Sequence, residues 1–388
     1  MRRLLLLGSA VVFIDVVFFT AITPLLPGYA DDLGLSKAAA GVLSGAYAAG
    51  TLAMSLPAGF LATRFGPRRT LVAGLLVLGS ASLVFGFANH LLLLDAARFA
   101  QGAGGAMAWS GTLSWLLIES PDDRRGTVIG SVLGVAVAGE LLGPSLGALA
   151  QAIGTEPVFS TVLVLTVALA LVALRMPEST TGQSARVADV WATMTSGPVV
   201  RATWYVTAPS LLFGVLSVLG PLRIDELGGG AALVALAFTI GAAIETVLSP
   251  VIGRVSDRSG RLRPFAAGAL VCSVAAILLP LAGALPLLIT SIVAISVGAG
   301  LCFTPALTML SDSAEATGLH QGLSAGLTNM AWASGQVVGG LGGGALAGAT
   351  GDTLPFLIVS AALLLTGAAA WRRRSEPNPQ SVPVTVTN

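Results

Sequence analysis

Four ionisable side chains, Asp15, Arg98, Glu140 and Glu245, stand in stretches too apolar to be loops. Counted from the nearest break in hydrophobicity, Asp15 lies about 11 residues deep, Glu140 about 14 and Glu245 about 10, or ~15 to 21 Å at 1.5 Å per helical residue. The middle of a ~30 Å hydrocarbon layer lies at that depth. A lipid-facing carboxylate there costs ~2.5 to 3.5 kcal/mol, so three of them point to a protein-lined cavity. Burial disfavours the charged form of a carboxylate and a nearby cation favours it. Proton and substrate cation then compete for one group, which is the chemistry of an exchanger. Glu140 and Glu245 could instead be structural partners of Arg98 or of buried hydroxyls and amides.

The rest of the chain fits such a setting. Only 10% of its 388 residues are charged, against about 25% in an ordinary soluble domain. Hydrophobic residues make up 54%, mean hydropathy is +0.86, and apolar runs long enough to cross a bilayer recur throughout. A formal net charge of +1 argues against nucleic acid. His90 and His320 are too far apart to suggest a metal site, and no cofactor is expected. Cys272 and Cys302 read as reduced thiols inside apolar runs. Arg2 and Arg3 ahead of Leu4 to Ile14 imitate a signal peptide, but Asp15 interrupts the run and hydrophobicity resumes through Phe18, Phe19 and Ile22. This segment reads as the first span.

Breaks at charge, Pro and Gly clusters predict twelve spans: 4–28, 37–62, 70–88, 92–118, 126–152, 157–175, then 201–222, 231–255, 264–283, 287–311, 321–349 and 354–371. The expected organisation is a six-helix bundle over 1–175, a cytoplasmic linker over 176–198, a second bundle over 199–371 and a disordered tail over 372–388. With both termini in the cytoplasm, every Lys and Arg except Lys37, Arg98 and Arg223 falls on the inside, as the positive-inside rule requires.

The halves repeat. At an offset of 194, Pro27, Asp31, Leu33, Gly34 and Gly59 match Pro221, Asp225, Leu227, Gly228 and Gly253. At 196, Glu119, Gly126, Gly139, Gly143 and Gly147 match Glu315, Gly322, Gly335, Gly339 and Gly343. Parallel six-span repeats with a site between them are an arrangement of secondary transporters.

Gly59, Arg64, Gly66, Arg68 and Arg69 lie in the turn after span two, and Gly253, Asp257, Arg258, Gly260, Arg261 and Arg263 after span eight. Both strings resemble the signature loop of the major facilitator superfamily. Their glycines permit tight turns, and their arginines can change carboxylate partners as the halves rock. Thr63 departs from the pattern, occupying a position where the family has Asp. Arg98, Gln101, Gly102 and Gly104 resemble the family's intramembrane arginine motif, implicated in proton coupling. The alternative is an Arg that snorkels outward, ~10 Å from the span's end. Gly139, Gly143, Pro144 and Gly147 resemble the family's antiporter motif, with Ala148 replacing the last Gly; a generic small-residue packing seam is the other reading. Asp15 followed by Phe19 and Pro24 to Pro27 looks like the first span of drug:proton antiporters and vesicular amine transporters.

The resemblance implies an all-α membrane protein with twelve transmembrane helices in two pseudo-symmetric six-helix bundles, the major facilitator fold. It implies a secondary active transporter, not an enzyme, that exports lipophilic or cationic drugs in exchange for protons by alternating access. It would act as a monomer, multi-pass in the plasma membrane, its partners being small-molecule substrates, protons and the bilayer. The substrate and proton residues are then Asp15, Glu140, Glu245, Arg98 and Gln101. Phe19 shares the Asp15 face, and Tyr47, Trp109, Trp115, Phe213, Phe238, Asn329, Trp332 and Gln336 are candidate cavity walls that read equally well as helix packing or an interfacial belt. The alternatives are a proton symporter importing a metabolite or, from another class, a membrane enzyme or transceptor. The hydrolase-like Gly322-Leu-Ser324-Ala-Gly326 has no preceding strand, and Gly102 to Met107 fails the dinucleotide pattern. Restoring the family carboxylate with Thr63→Asp should strengthen the cytoplasmic latch. Spin-label distances across the cytoplasmic ends of the halves are expected to shorten, and unchanged distances would refute this.

Overall fold

The computed structural model describes residues 1–121, 125–178, 187–317 and 321–374, which form helices joined by short turns, with no strand among the described residues. The helices are α1 (Arg2–Thr20), α2 (Leu26–Leu33), α3 (Lys37–Phe65), α4 (Pro67–Phe87), α5 (Leu91–Glu119), α6 (Arg125–Ile153), α7 (Thr155–Leu174) and α8 (Val187–Met194). They continue as α9 (Gly197–Glu226), α10 (Ala231–Ser259), α11 (Leu262–Leu278), α12 (Leu285–Glu315), α13 (Gln321–Val337), α14 (Gly343–Thr350) and α15 (Thr353–Arg373). Each expected span overlaps helix over most of its length. Among the described residues, nine helices are long and apolar enough to cross a membrane, and Leu262–Leu278 is a shorter apolar one. The protein is an all-helical membrane protein.

Two spans expected to be continuous are interrupted. The first breaks over residues 21–25, between α1 and α2. Pro24 and Pro27 have no amide hydrogen, so the ladder cannot run through them. Thr23 N–H reaches back only to Thr20 O (3.2 Å) and Leu25 N–H to Ile22 O (3.0 Å). The second interruption is a π-helical turn over Val338–Gly342, in the run Val338-Gly-Gly-Leu-Gly342, between α13 and α14. The expected linker also differs, because residues 187–194 of it form α8, with Val190 buried and Trp191 exposed. The expected tail begins inside α15, which runs to Arg373; residues 375–388 and Arg186 lie outside the described residues.

All six residues with positive φ among those described are glycines, and they fall in pairs: Gly34 with Gly228 and Gly66 with Gly260 at the repeat offset of 194, and Gly154 with Gly351 at 197. The two halves therefore turn corners alike, at angles a side chain would strain.

Helix α3 of the first half lies against α13, the π-helical turn and α14 of the second. A Cβ on Gly41 would stand 2.5 Å from Gly340 O, and one on Gly344 would stand 2.5 Å from Lys37 O, so only hydrogens fit between these backbones. The apolar interior is built mainly of Ala, Leu, Val and Ile from both halves, with four Phe. Within it Phe159 packs edge-on to Phe18 and tilted against Phe85.

An ion-pair cluster ties the halves together where α3 begins. Lys37 Nζ reaches both oxygens of Asp352 (2.7 and 2.9 Å) and Glu226 Oε1 (3.1 Å), while Arg223 holds Glu226 from its other side at 2.9 Å. A cation in the first turn of a helix opposes the helix dipole, so the local cost is offset by these partners. Solvent-accessible pairs of this kind contribute ~0.2 to 1 kcal/mol each. Lys37→Met is therefore expected to shift the closed-to-open ratio at this end by up to about fivefold per kcal/mol lost. Spin labels at Asp32→Cys and Thr353→Cys should report longer distances, and an unchanged distribution would refute the role.

Candidate functional site

The Asp15 carboxylate is 3% exposed, and both its oxygens are held by neutral donors. The Tyr47 hydroxyl on α3 donates to Oδ1 at 2.6 Å, and the Trp109 indole N–H on α5 donates to Oδ2 at 2.8 Å. Room for this arrangement depends on Gly105: a Cβ there would lie 2.5 Å from Asp15 Oδ1 and 2.6 Å from the Tyr47 hydroxyl. Phe19, one turn beyond Asp15, packs on Tyr47 (ring centroids 4.8 Å apart) and edge-on to Trp332 of α13 (5.2 Å, 75°). An acid walled by four aromatic rings from both halves of the chain can hold an organic cation.

Arg98 is fully buried and so does not snorkel. Its Nη1 donates to Gln101 Oε1 (3.1 Å) and Phe18 O (3.4 Å), its Nη2 to Phe19 O (3.2 Å), and Gln101 Nε2 donates to Ser82 Oγ (3.1 Å). The Phe18 and Phe19 carbonyls lie in the last turn of α1, beside the break after Thr20, where Thr23 N–H turns to Thr20 O and helical donors run out. The guanidinium supplies replacements. It also lies 5.0 Å from the Tyr47 ring centroid, completing a chain from the break to the Asp15 acceptor. Expected as a possible partner of Glu140 or Glu245, Arg98 bonds instead to backbone and amide.

Glu140 and Glu245 form a second group, on α6 and α10. These helices pack together, with Thr239 Oγ1 donating to Leu141 O at 3.3 Å. Glycines 139, 143 and 147 lie against α1, where Cβ atoms would meet Phe13 O and Val16, Val17 O and Thr20, and Ala21 O and Pro24 respectively. This contact places Glu140 level with Asp15 on the neighbouring helix. Glu245 lies six residues, ~9 Å, from Thr239 toward the Ser259 end, its stem in space left by Gly300 of α12.

The remaining candidates are placed as follows. Asn329 is half-buried, Gln336 is buried beside Gly214 of α9, and among the described residues neither hydrogen-bonds to either group. Trp115 is 1% exposed and packs with Leu4, Leu7 and Leu116, so it belongs to the core rather than to a cavity wall. Phe213 packs on Phe303, and Phe238 approaches Gly220.

In the first signature loop, Arg68 donates to Met176 O (2.8 Å) and pairs with Glu178 (3.0 Å), which Arg69 also reaches (3.3 Å), while Arg64 lies over the Phe65 ring. Thr63 donates to Phe60 O of its own helix. In the second loop Arg261 pairs with Asp312, and Arg258 is exposed. The Asp257 side chain lies outside the described residues. The first loop is thus anchored to Met176 and Glu178 at the start of the linker, and the second to Asp312 of its own half. The Lys37 cluster was not foreseen, because its partners lie 189 and 315 positions away in the chain. The backbone role of Arg98 was missed because motif reading sees side chains only.

The chain resembles known proteins over much of its length. A family model described as Major Facilitator Superfamily matches residues 8–319 and 210–386. The MFS-type transporter SLC18B1 of Rattus norvegicus is 26% identical over 379 residues, covering 90% of this chain and 82% of that protein. Some other matches are shorter: an MFS-type transporter of Schizosaccharomyces pombe, C18.02, is 33% identical over 35% of this chain and only 32% of its own length. Quinolone resistance protein NorA of Staphylococcus aureus is 26% identical over 126 residues, 32% of each chain. The crystal structure of the human organic anion transporter MFSD10 superposes with a TM-score of 0.74 at 16% identity, covering 95% of this chain and 99% of that one, and shares the fold. The chain spans about a third of the length of some of these relatives, but with a family match over most of its own length it belongs to the Major Facilitator Superfamily.

Proposed function

We propose that the protein exports lipophilic cations in exchange for protons. The observation that carries this reading is the Asp15 carboxylate, buried and held at both oxygens by neutral donors, with aromatic walls from both halves of the chain. Buried carboxylates normally neutralise or pair with a cation. Here the nearest guanidinium is committed to the α1 carbonyls, so a proton or a substrate cation takes that role. Either occupant excludes the other. Pro144 and the glycines beside it, which resemble the antiporter motif, and the similarity to a quinolone resistance protein support the same direction.

In this reading residues 1–175 and 199–371 rock as two bundles in the plasma membrane, with both termini cytoplasmic in keeping with the arginine placement. Cation bound from inside displaces the proton on Asp15. After the Lys37 cluster opens, a proton from outside releases the cation. Each pH unit of gradient supplies ~1.36 kcal/mol, and each net charge moved another ~2.3 kcal/mol per 100 mV.

The test is a pH jump on proteoliposomes loaded with tetraphenylphosphonium. The wild type should move the cation against the proton flux, whereas co-directional movement would establish a symporter. Asp15→Asn should abolish driven flux; full retention would overturn the assignment. Tyr47→Phe removes one donor from the ionised carboxylate, a bond of ~1.5 to 3 kcal/mol. Cation binding should therefore weaken by tenfold or more at acidic pH, where protons compete best, and less at alkaline pH. A uniform loss at all pH values would refute a role for the hydroxyl in that competition.

A further inference from the structure

The glycine-bearing helices of the two halves pack alike up to one point. Gly139 of α6 meets Phe13 O and Val16 of α1, and Gly335 of α13 meets Thr207 O and Ser210 of α9, the corresponding residues at the repeat offsets. One turn further on, Gly143 meets Val17 O and Thr20, and Gly339 meets Leu211 O and Gly214. The match then slips. The corner Gly154 lies 11 residues beyond Gly143, whereas the corner Gly351 lies 12 beyond Gly339. The second half thus holds one more residue in this stretch, and the π-helical turn Val338–Gly342 falls there. Hydrogen bonds from i to i+5 take one extra residue into a helical turn.

This turn sets the Lys37 end of the interface between the halves. Gly340 and Gly344 lie against the backbone of Gly41, and Leu341 fills the space left by Gly45. Asp352, directly after the Gly351 corner, holds Lys37. Among the described residues no glycine of α6 meets α10 in this way, and Ala231 stands at the repeat position of Lys37. Three of the five residues in the turn are glycines, which hold no single backbone form strongly. Val338 and Gly342 at its ends are exposed, and open space surrounds Gly342.

We propose that the π-helical turn is the release of this gate, a stored residue let out as the Lys37 end parts. When the turn becomes α-helical, the chain beyond it advances ~1.5 Å and rotates by about 100°, the rise and twist of one residue. Gly344 then moves from Gly41 to the exposed angle now held by Ala345, and Leu346 moves to that of buried Ala347. A leucine does not fit where only a small side chain does, so the close contact with α3 is lost. The same rotation carries Asp352 away from Lys37, so seam and ion pair part in one step. The release concerns how this end opens, whatever the chain carries.

Spin labels on the full chain in lipid nanodiscs, at acidic and alkaline pH with and without tetraphenylphosphonium, test this. Asp32→Cys and Thr353→Cys report the gate, and Ser334→Cys and Ala349→Cys flank the turn. In samples where the gate pair lengthens, the turn pair should lengthen by ~1.5 Å. A turn pair that keeps one distance while the gate opens would overturn the proposal, and so would a gate pair that never lengthens. Deleting Gly342 removes the stored residue, and the gate pair should then stay short in every sample. Val338→Ala/Gly342→Ala keeps the residue count and favours the α form, so the lengthened fraction should rise about fivefold. A turn with only a structural role would not give opposite responses. Opening of the deletion variant as in wild type, or no rise in the alanine variant, would refute the release. If the deletion variant does not fold, the alanine variant and the wild-type label pairs still decide.

Discussion

A negative charge kept away from water constrains everything around it, and Asp15 is where that constraint acts most strongly in this protein. Its two oxygens need donors, and the donors sit on α3 and α5, so three helices must approach at one depth. That approach requires Gly105 beneath the carboxylate and Gly102 against the Tyr47 backbone. It also requires α1 to stop soon after Phe19, because the same helix must place a ring over Tyr47 and then turn at Pro24. The stop leaves carbonyls without amide partners, and Arg98 supplies the missing donors. Carboxylate, break and arginine form one unit in which each member removes a cost that another creates.

The interface between the halves is governed by distance rather than by charge. Glycine faces glycine along α3 and the α13–α14 stretch, and backbone meets backbone. Dispersion across such a contact falls off steeply with separation. A seam of this kind is strong when closed and weak once parted by an ångström or two. The Lys37 cluster at its end is weaker per contact but longer in reach. A short-range seam with a long-range clasp suits a joint that must part completely and re-form in register.

Much of this was legible in the chain itself, for identifiable reasons. Apolar runs bounded by Arg, Gly and Pro marked the helices because membrane spanning imposes length and composition together. Asp15, Arg98 and Glu140 stood out because charge inside such runs is rare. The break after Thr20 and the π-helical turn at Val338 were not read, since both are backbone events within sequences that remain apolar. Trp115 stayed undecided between wall and core because an aromatic at mid-span carries the same signal whether it faces a cavity or Leu4 and Leu116. Pairings such as Lys37 with Asp352 depend on how the two halves meet, which no local pattern records.

The paired glycine corners show two halves with the same skeleton, and charges at the span ends are duplicated, as in Asp31 with Asp225, yet Asp15 and Glu140 at mid-span are not. At the repeat offset, Asp15 corresponds to Pro209, and Glu140 corresponds to Gln336. The second half thus carries, in the same helical frame, the uncharged counterpart of what the first half carries as acid. Gln336 is the shape of a glutamate without its proton chemistry, so the molecule contains its own comparison. Symmetry supplies a scaffold able to pivot either way with little preference. It is the uneven distribution of acid over that even frame that can give the pivot a direction.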